Sequence, residues 1–330
     1  MKMEKKERVL AAIQKEEVDR PPFGMWYHVP HVDQDPVHLA EIQIQQAQDY
    51  DLDFIKLMPF GNYSAADFGL SCTYHCTADK PVFERKFAIE DPKEWSELKP
   101  LPGIFGNHGK TVMIAQQVAR QQKKAGLELP FVQTVFSPLT TAKKLAGMRL
   151  FQDMRSHPQH VHAALAAITE TSINFVVENL NAGVAGFFFA TQCATRDWVT
   201  EDEYKEFGLF YDLKVIEAFT DSTFFNILHI HGDNTWFNLL ATYPVHCLNW
   251  HDRWSEPDLA TARKISDKCF MGGINEIWLK TAKPEQIVKH IREAVIAAGI
   301  RGLMITPGCV ADPTTPVENF IACREALGHL

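Results

Sequence analysis

The chain has 330 residues, 46% of them hydrophobic and 22% charged, with a formal charge of −8. That length suits one large α/β barrel with an ordinary core, and the acidic balance excludes sequence-independent binding to nucleic acid, which needs a basic surface. No apolar stretch nears the roughly 20 residues needed to cross a bilayer, and the charged N-terminus lacks a signal peptide's apolar segment, so the expected location is the cytoplasm.

In chain order, "MKMEKKERVLAAIQKEE" opens with a helix over roughly residues 3–16, with Val9, Leu10 and Ile13 at helical spacing. Its lysines, like Lys123 and Lys124, read as a solvated helix face. After "DRPP" comes a strand candidate, "FGMWYHV", then a helix at "PVHLAEIQIQQAQDY" and a second strand at "DFIKLMP". Residues 71–90 read as a hairpin excursion, because their β-formers are broken by "ADKP". "PFVQTVF" precedes a helix at "LTTAKKLAG", and "GFFFAT" follows the long helix "HVHAALAAITETSINFVVENLNAG". "FFNILHIH", "VHCLNWHD", "CFMGGIN" and "GLMITPG" complete the series, each separated by helical sequence. Roughly eight strands with helical crossovers predict a single (β/α)8 barrel over residues 1–330, with residues 1–20 as an N-terminal extension. The rival, a doubly wound sheet, lacks its G-x-G-x-x-G turn after the first strand.

In a parallel barrel, reactive groups come from the C-terminal strand ends. Here those ends are "WYHVPH", "KLMPFGN", "TVFSP", "ATQCATRD", "HIHGDN", "NWHDR", "GGINE" and "TPGCVADP", and nearly all are polar or metal-capable. His229 and His231 are two apart, so on a strand they share a face and offer one metal two nitrogens. Core histidines bonded to backbone fit the same spacing. Asp233 reads as a third ligand, as an acceptor behind one, or as the N-cap of "NTWFNLLATY". His251, Asp252 and Arg253 offer a proton shuttle and an anion clamp, or merely an ion pair closing a loop. Cys309 is either a remote thiolate ligand or a small buried residue.

Other candidates are weaker. Trp26, Tyr27 and His28 either wall the pocket or plug the barrel mouth, and Gln192, beside Cys193, is placed to touch substrate. Cys72, His75 and Cys76 lie close together in the hairpin, away from the expected site. Ser137-Pro138 has no nucleophile-elbow context. Seven cysteines, an odd and scattered set, argue against a disulfide framework and fit a reducing compartment.

Along essentially its whole length the chain resembles the uroporphyrinogen decarboxylase superfamily. The resemblance rests on "VDRPPFGMWYH", "DFIKLMP", "FSPLTTAKKLAG", "GVAGFFFATQCA", "TEDEYKEFGLFYDLKVIEAF" and "TPGCVADPTTPVENFIACREAL". It implies a distorted (β/α)8 barrel and one of two chemistries: haem-pathway decarboxylation, or zinc-dependent methyl transfer with corrinoid proteins. The decarboxylases follow "RPP" with an arginine-rich carboxylate clamp. Here "GMWYHVPHVD" stands there, with no arginine between Arg20 and Arg85. The methyltransferases carry His-x-Cys after one strand and a distant "GC", matched here by "HIHG" and "PGCV". His229 and Cys309 thus align with zinc ligands, and His231 replaces a cysteine.

The resemblance therefore implies a methyltransferase with zinc on His229, His231 and Cys309. His251, Asp252 and Asp233 would serve the chemistry, and Trp26, His28, Gln192 and Arg253 the substrate. A methylcobalamin or other corrinoid would arrive on a partner protein, and the enzyme would be a monomer or homodimer. A metal-free tetrapyrrole or small-acid decarboxylase is the second reading, with His229, His231 and His251 as proton donors and Arg253 and Arg196 holding carboxylates. An amidohydrolase-type hydrolase would carry H-x-H on its first strand rather than about the fifth, and a carrier with a dead site would not need so many polar strand ends.

Overall fold

A computed structural model describes residues 2–73 and 84–329. Its main sheet is seven parallel strands: β1 (Ile55–Lys56), β4 (Phe131–Phe136), β5 (Gly186–Thr191), β6 (Ile227–Ile230), β7 (Cys247–Trp250), β8 (Cys269–Ile274) and β9 (Leu303–Pro307), hydrogen-bonded in that order. In the hairpin excursion expected over residues 71–90, β2 (Ser71–Thr73) pairs antiparallel with β3 (Glu84–Lys86). Every described residue of the seven strands is buried, because both sheet faces are covered.

The first expected strand, "FGMWYHV", is reduced to a single parallel bridge between Phe23 and Ile305. That segment nevertheless closes the barrel. Ile305 N donates to Pro22 O and Gly24 N to Ile305 O, while on the other side Asp53 N donates to Phe23 O. Pro21 and Pro22 supply no N–H, so this eighth stave cannot extend a ladder toward its N-terminus.

The "DRPP" element seals that seam from below. Arg8, from the opening helix (Lys5–Ile13), is 2% exposed and pairs with Asp19 at 2.6 Å and with Asp53 at 2.5 Å. Arg20 reaches Asp53 at 2.6 Å, and the same carboxylate accepts from Phe23 N at 2.7 Å. Hydrogen bonding to Arg8 holds the Asp19 carboxyl well below its usual range, against the cost of burial. Arg20 is thus committed to the bottom of the barrel, far along the chain from the polar strand ends.

The helices follow their predicted spans closely. Pro36–Asp49 is capped by Asp35, and Pro158–Asn181 runs through the long apolar pattern. Pro138–Ala146 is capped by Ser137, whose side chain accepts from Thr140 N, which gives that serine a structural task. "NTWFNLLATY" yields only Phe237–Leu240, because Asn234 adopts a left-handed φ of 50° and turns the chain before a helix can start. No described helix is long and apolar enough to cross a membrane.

Candidate metal centre and its pocket

Strand β6 is the fifth stave around the barrel, counting the Phe23 segment as the first. His229 lies opposite Ala190 on β5 and Asn249 on β7. Strand alternation sends His229 and His231 to the same inward face, and Gly232, at φ 101°, turns the chain immediately afterwards.

The amide of Asn249 sets the tautomer of His229. Its Nδ2 donates to Met271 O at 2.8 Å and Pro307 O at 3.1 Å, so its Oδ1 must be the atom 2.7 Å from His229 Nδ1. An amide oxygen only accepts, so the His229 proton sits on Nδ1 and Nε2 is left bare. The ring stacks on Phe188 at 5.1 Å, which fixes its plane.

His251 enters from the residue just beyond β7. Its Nδ1 is 2.5 Å from Glu276 Oε1, which also accepts from Trp254 Nε1 at 3.0 Å. Its Nε2 faces His231 Nδ1 at 3.3 Å. Cys309 arrives from the turn after β9, with Sγ 3.6 Å from the same His231 nitrogen. Gly308 permits that approach: a Cβ there would lie 2.6 Å from Trp250 O and 2.9 Å from His251 Cα.

One ligand atom from each of His229, His231, His251 and Cys309 lies within 4.8 Å of all the others. Zn–N near 2.1 Å and Zn–S near 2.3 Å would give a tetrahedron with edges of about 3.4 Å between nitrogens and about 3.6 Å from nitrogen to sulfur. The donor set fits zinc in both chemistry and spacing. Burial, with the charges of neighbouring rings, holds His229 well below its ordinary value and His231 at about 4, so both imidazoles are neutral and able to ligate at pH 7. Burial pushes the Cys309 thiol up to about 11 in the absence of a cation.

His229 and Cys309 form one side of a cavity of about 410 Å³. Trp26, His28 and Gln192 line it, as do Lys56, Arg85, Lys143 and Lys144. Lys56 is buried, donates to Met58 Sδ at 2.9 Å and lies 4.6 Å from the centre of the Phe188 ring. Lys144 donates to Gly61 O and lies over the Phe136 ring at 3.2 Å. Among the described residues, none of the four cations has a carboxylate partner, and burial brings Lys56 down to about 7 and Lys144 well below its usual range. Among the described residues, the one carboxyl on the wall is Asp33, raised to about 6 by its own burial. The described wall thus carries four basic side chains and one carboxyl.

Several expected site residues lie elsewhere. Asp233 is exposed and accepts from the Asn234 N–H, its one side-chain partner among the described residues, so it neither caps a helix nor belongs to the donor cluster. Asp252 alternates away from His251 and accepts from Gly273 N at 3.0 Å, buttressing β8, and burial raises it to about 7. Arg253 is turned outward onto His290, with Nε 3.0 Å from Nε2, and pairs weakly with Glu293. Arg196 lies over the Trp236 ring at 4.6 Å. Neither arginine lines the cavity, so neither is placed to hold carboxylates there as the metal-free decarboxylase reading expected.

Tyr27 stacks on Phe320 in the outer layer, while its neighbours Trp26 and His28 face the cavity. Cys193 is buried beside Leu139 O, away from the cavity wall. Cys72 accepts from Asn62 on β2's flank, and His75 and Cys76 lie outside the described residues. Asn249 and Lys56 carried a usable signal, each being a polar or charged residue inside an apolar strand.

The methylcobamide:CoM methyltransferase MtbA of Methanosarcina acetivorans is 20% identical over 328 residues, spanning 96% of this chain and 95% of that protein. MtbA of Methanosarcina mazei is 21% identical over 333 residues, spanning 97% of each. A solved methyltransferase from Methanosarcina mazei shares the fold, with a TM-score of 0.80 at 19% identity over 99% of both chains. The sequence profile of the uroporphyrinogen decarboxylase (URO-D) family matches residues 4–329, and the chain belongs to that family.

Proposed function

We propose that the protein transfers a methyl group from a corrinoid to the sulfur of a small anionic thiol, with zinc held by His229, His231 and Cys309. The observation that carries this reading is the convergence of those donors in one cluster, of which His229 and Cys309 open onto a cavity lined by basic side chains. The names of the relatives, methylcobamide:CoM methyltransferases, supply the reaction class. A bound zinc ion would hold the acceptor as a thiolate at neutral pH. The new bond joins sulfur to the methyl carbon, and the bond broken is the one from that carbon to the corrinoid cobalt.

The chain's own groups prepare the acceptor. Lys56, Lys143, Lys144 and Arg85 take the anionic end, the role first expected of Arg253, and regain the charge partner that burial denies them. Trp26 and Phe188 wall the path between that end and the donor cluster and exclude water. A cavity of about 410 Å³ admits a small thiol, so the bulky corrinoid must meet it at the mouth, presented by a partner protein. Cytoplasmic location is part of this reading.

The test is incubation of zinc-loaded and metal-stripped protein with methylcobalamin and a panel of thiols, some bearing an acid group and some neutral. Expected is loss of the methylcobalamin spectrum and formation of a methyl thioether, only with zinc and fastest with the acidic thiols. Zinc-loaded protein that demethylates nothing across the panel would sink the assignment.

A further inference from the structure

The structure assigns a fourth protein donor: we propose that His251, oriented by Glu276, completes a closed three-imidazole, one-thiolate metal site. This rests on the zinc reading above and goes beyond its three ligands.

The first ground is the direction of lone pairs. Glu276 is buried and receives both the His251 Nδ1 contact at 2.5 Å and the Trp254 indole N–H at 3.0 Å on one oxygen. The carboxyl oxygen is the natural acceptor for a ring N–H on Nδ1, and that contact turns Nε2 toward the donor cluster. The same logic, through Asn249, leaves Nε2 of His229 bare. Bare nitrogens therefore converge from two strands, each backed by an acceptor on its outer nitrogen, which is how protein matrices orient metal-bound imidazole.

The second ground is spacing. His231 Nδ1 stands 3.3 Å from His251 Nε2 and 3.6 Å from Cys309 Sγ. Those are the nitrogen–nitrogen and nitrogen–sulfur edges of a zinc tetrahedron, about 3.4 and 3.6 Å. The chain order explains how the donor arises: β7 ends at Trp250, one residue before His251, and Gly308 lets the Cys309 turn pack against that very backbone.

Two consequences follow. Three neutral imidazoles and one thiolate leave the divalent site with a net charge of +1, a stronger Lewis acid than a site with two thiolates. Four protein donors leave no open position, so an acceptor thiol must replace one of them rather than fill a vacancy.

X-ray absorption at the zinc edge on the full-length zinc-loaded protein reads this directly. Expected is a first shell of three nitrogens near ~2.05 Å and one sulfur near ~2.3 Å, with outer-shell scattering from three imidazoles. His251→Ala should lower the imidazole count to two while zinc stays bound, and Glu276→Gln should loosen zinc affinity about 10–100-fold without changing the count. The cobalt-substituted protein should show intense tetrahedral visible bands that weaken in His251→Ala and recover with added imidazole. A resting shell of two imidazoles, one sulfur and one water oxygen would overturn the fourth donor and leave the three-ligand reading standing. Failure of the wild type to bind zinc at all would overturn both.

Discussion

Asn249 accepts a 2.7 Å hydrogen bond from His229 across the β6–β7 register while its amide nitrogen ties down two strand carbonyls. One fully buried side chain therefore sets the His229 tautomer and spans three strands. Replacing Asn249 with alanine frees that imidazole and strands the carbonyls of Met271 and Pro307. Expected are zinc binding weaker by about 10–100-fold and a stability loss of about 1–3 kcal/mol, read by chelator competition and urea unfolding. Unchanged zinc affinity in a folded Asn249→Ala protein would show that the hydrogen bond does not orient a ligand.

His231 stands where the relatives' branch is expected to carry cysteine. His231→Cys should retain one zinc per chain, because sulfur and imidazole both ligate zinc in tetrahedral sites. Elemental analysis after exhaustive dialysis checks this. A metal-free His231→Cys protein that is otherwise folded would mean that the imidazole at 231 is not in the coordination shell.

Lys56 couples stability to pH. Burial lowers it to about 7 in the folded protein, against about 10.4 in an unfolded chain. Between those values the unfolded chain holds a proton that the folded one lacks, so stability rises with pH through that window, and the full cost is present below about pH 7. Lys56→Met should therefore stabilise the protein at pH 7, by an amount on the order of a few kcal/mol. It should also flatten the rise in urea midpoint between about pH 7 and about pH 10, and weaken binding of the anionic acceptor. Parallel pH profiles for wild type and Lys56→Met would contradict it.

The seam under the barrel is a separate commitment. Asp53 is fully buried and bonds Arg8, Arg20 and Phe23 N together. Asp53→Ala leaves buried Arg8 with Asp19 alone and strips Arg20 and Phe23 N of their shared acceptor, and should cost about 3–5 kcal/mol in denaturant unfolding. A cost below about 1 kcal/mol would mean that water reaches the seam.

The barrel was legible because its strands are buried on both faces and therefore read as apolar runs of strand length between amphipathic helices. His229, His231 and Cys309 could be picked out because two-residue alternation and strand-end placement are local rules. Arg253 and Asp233 were misplaced because those rules stop where the strand stops: past Trp250 and Ile230 the chain turns, and side-chain direction depends on loop geometry. Lys56 was hidden inside "DFIKLMP" and Lys143 and Lys144 inside "TTAKKLAG", read for their apolar neighbours. The pairing of Glu276 with His251 spans 25 residues and two strands, and no local pattern encodes it.

The central claim is that one metal binds where β6 and the turn after β9 meet. Calorimetric titration of zinc into metal-free protein, wild type beside His229→Ala, tests it most directly. The account predicts one tight site per wild-type chain and loss of that heat in the variant, with both proteins equally folded by circular dichroism. Equal heats from the two proteins would contradict it.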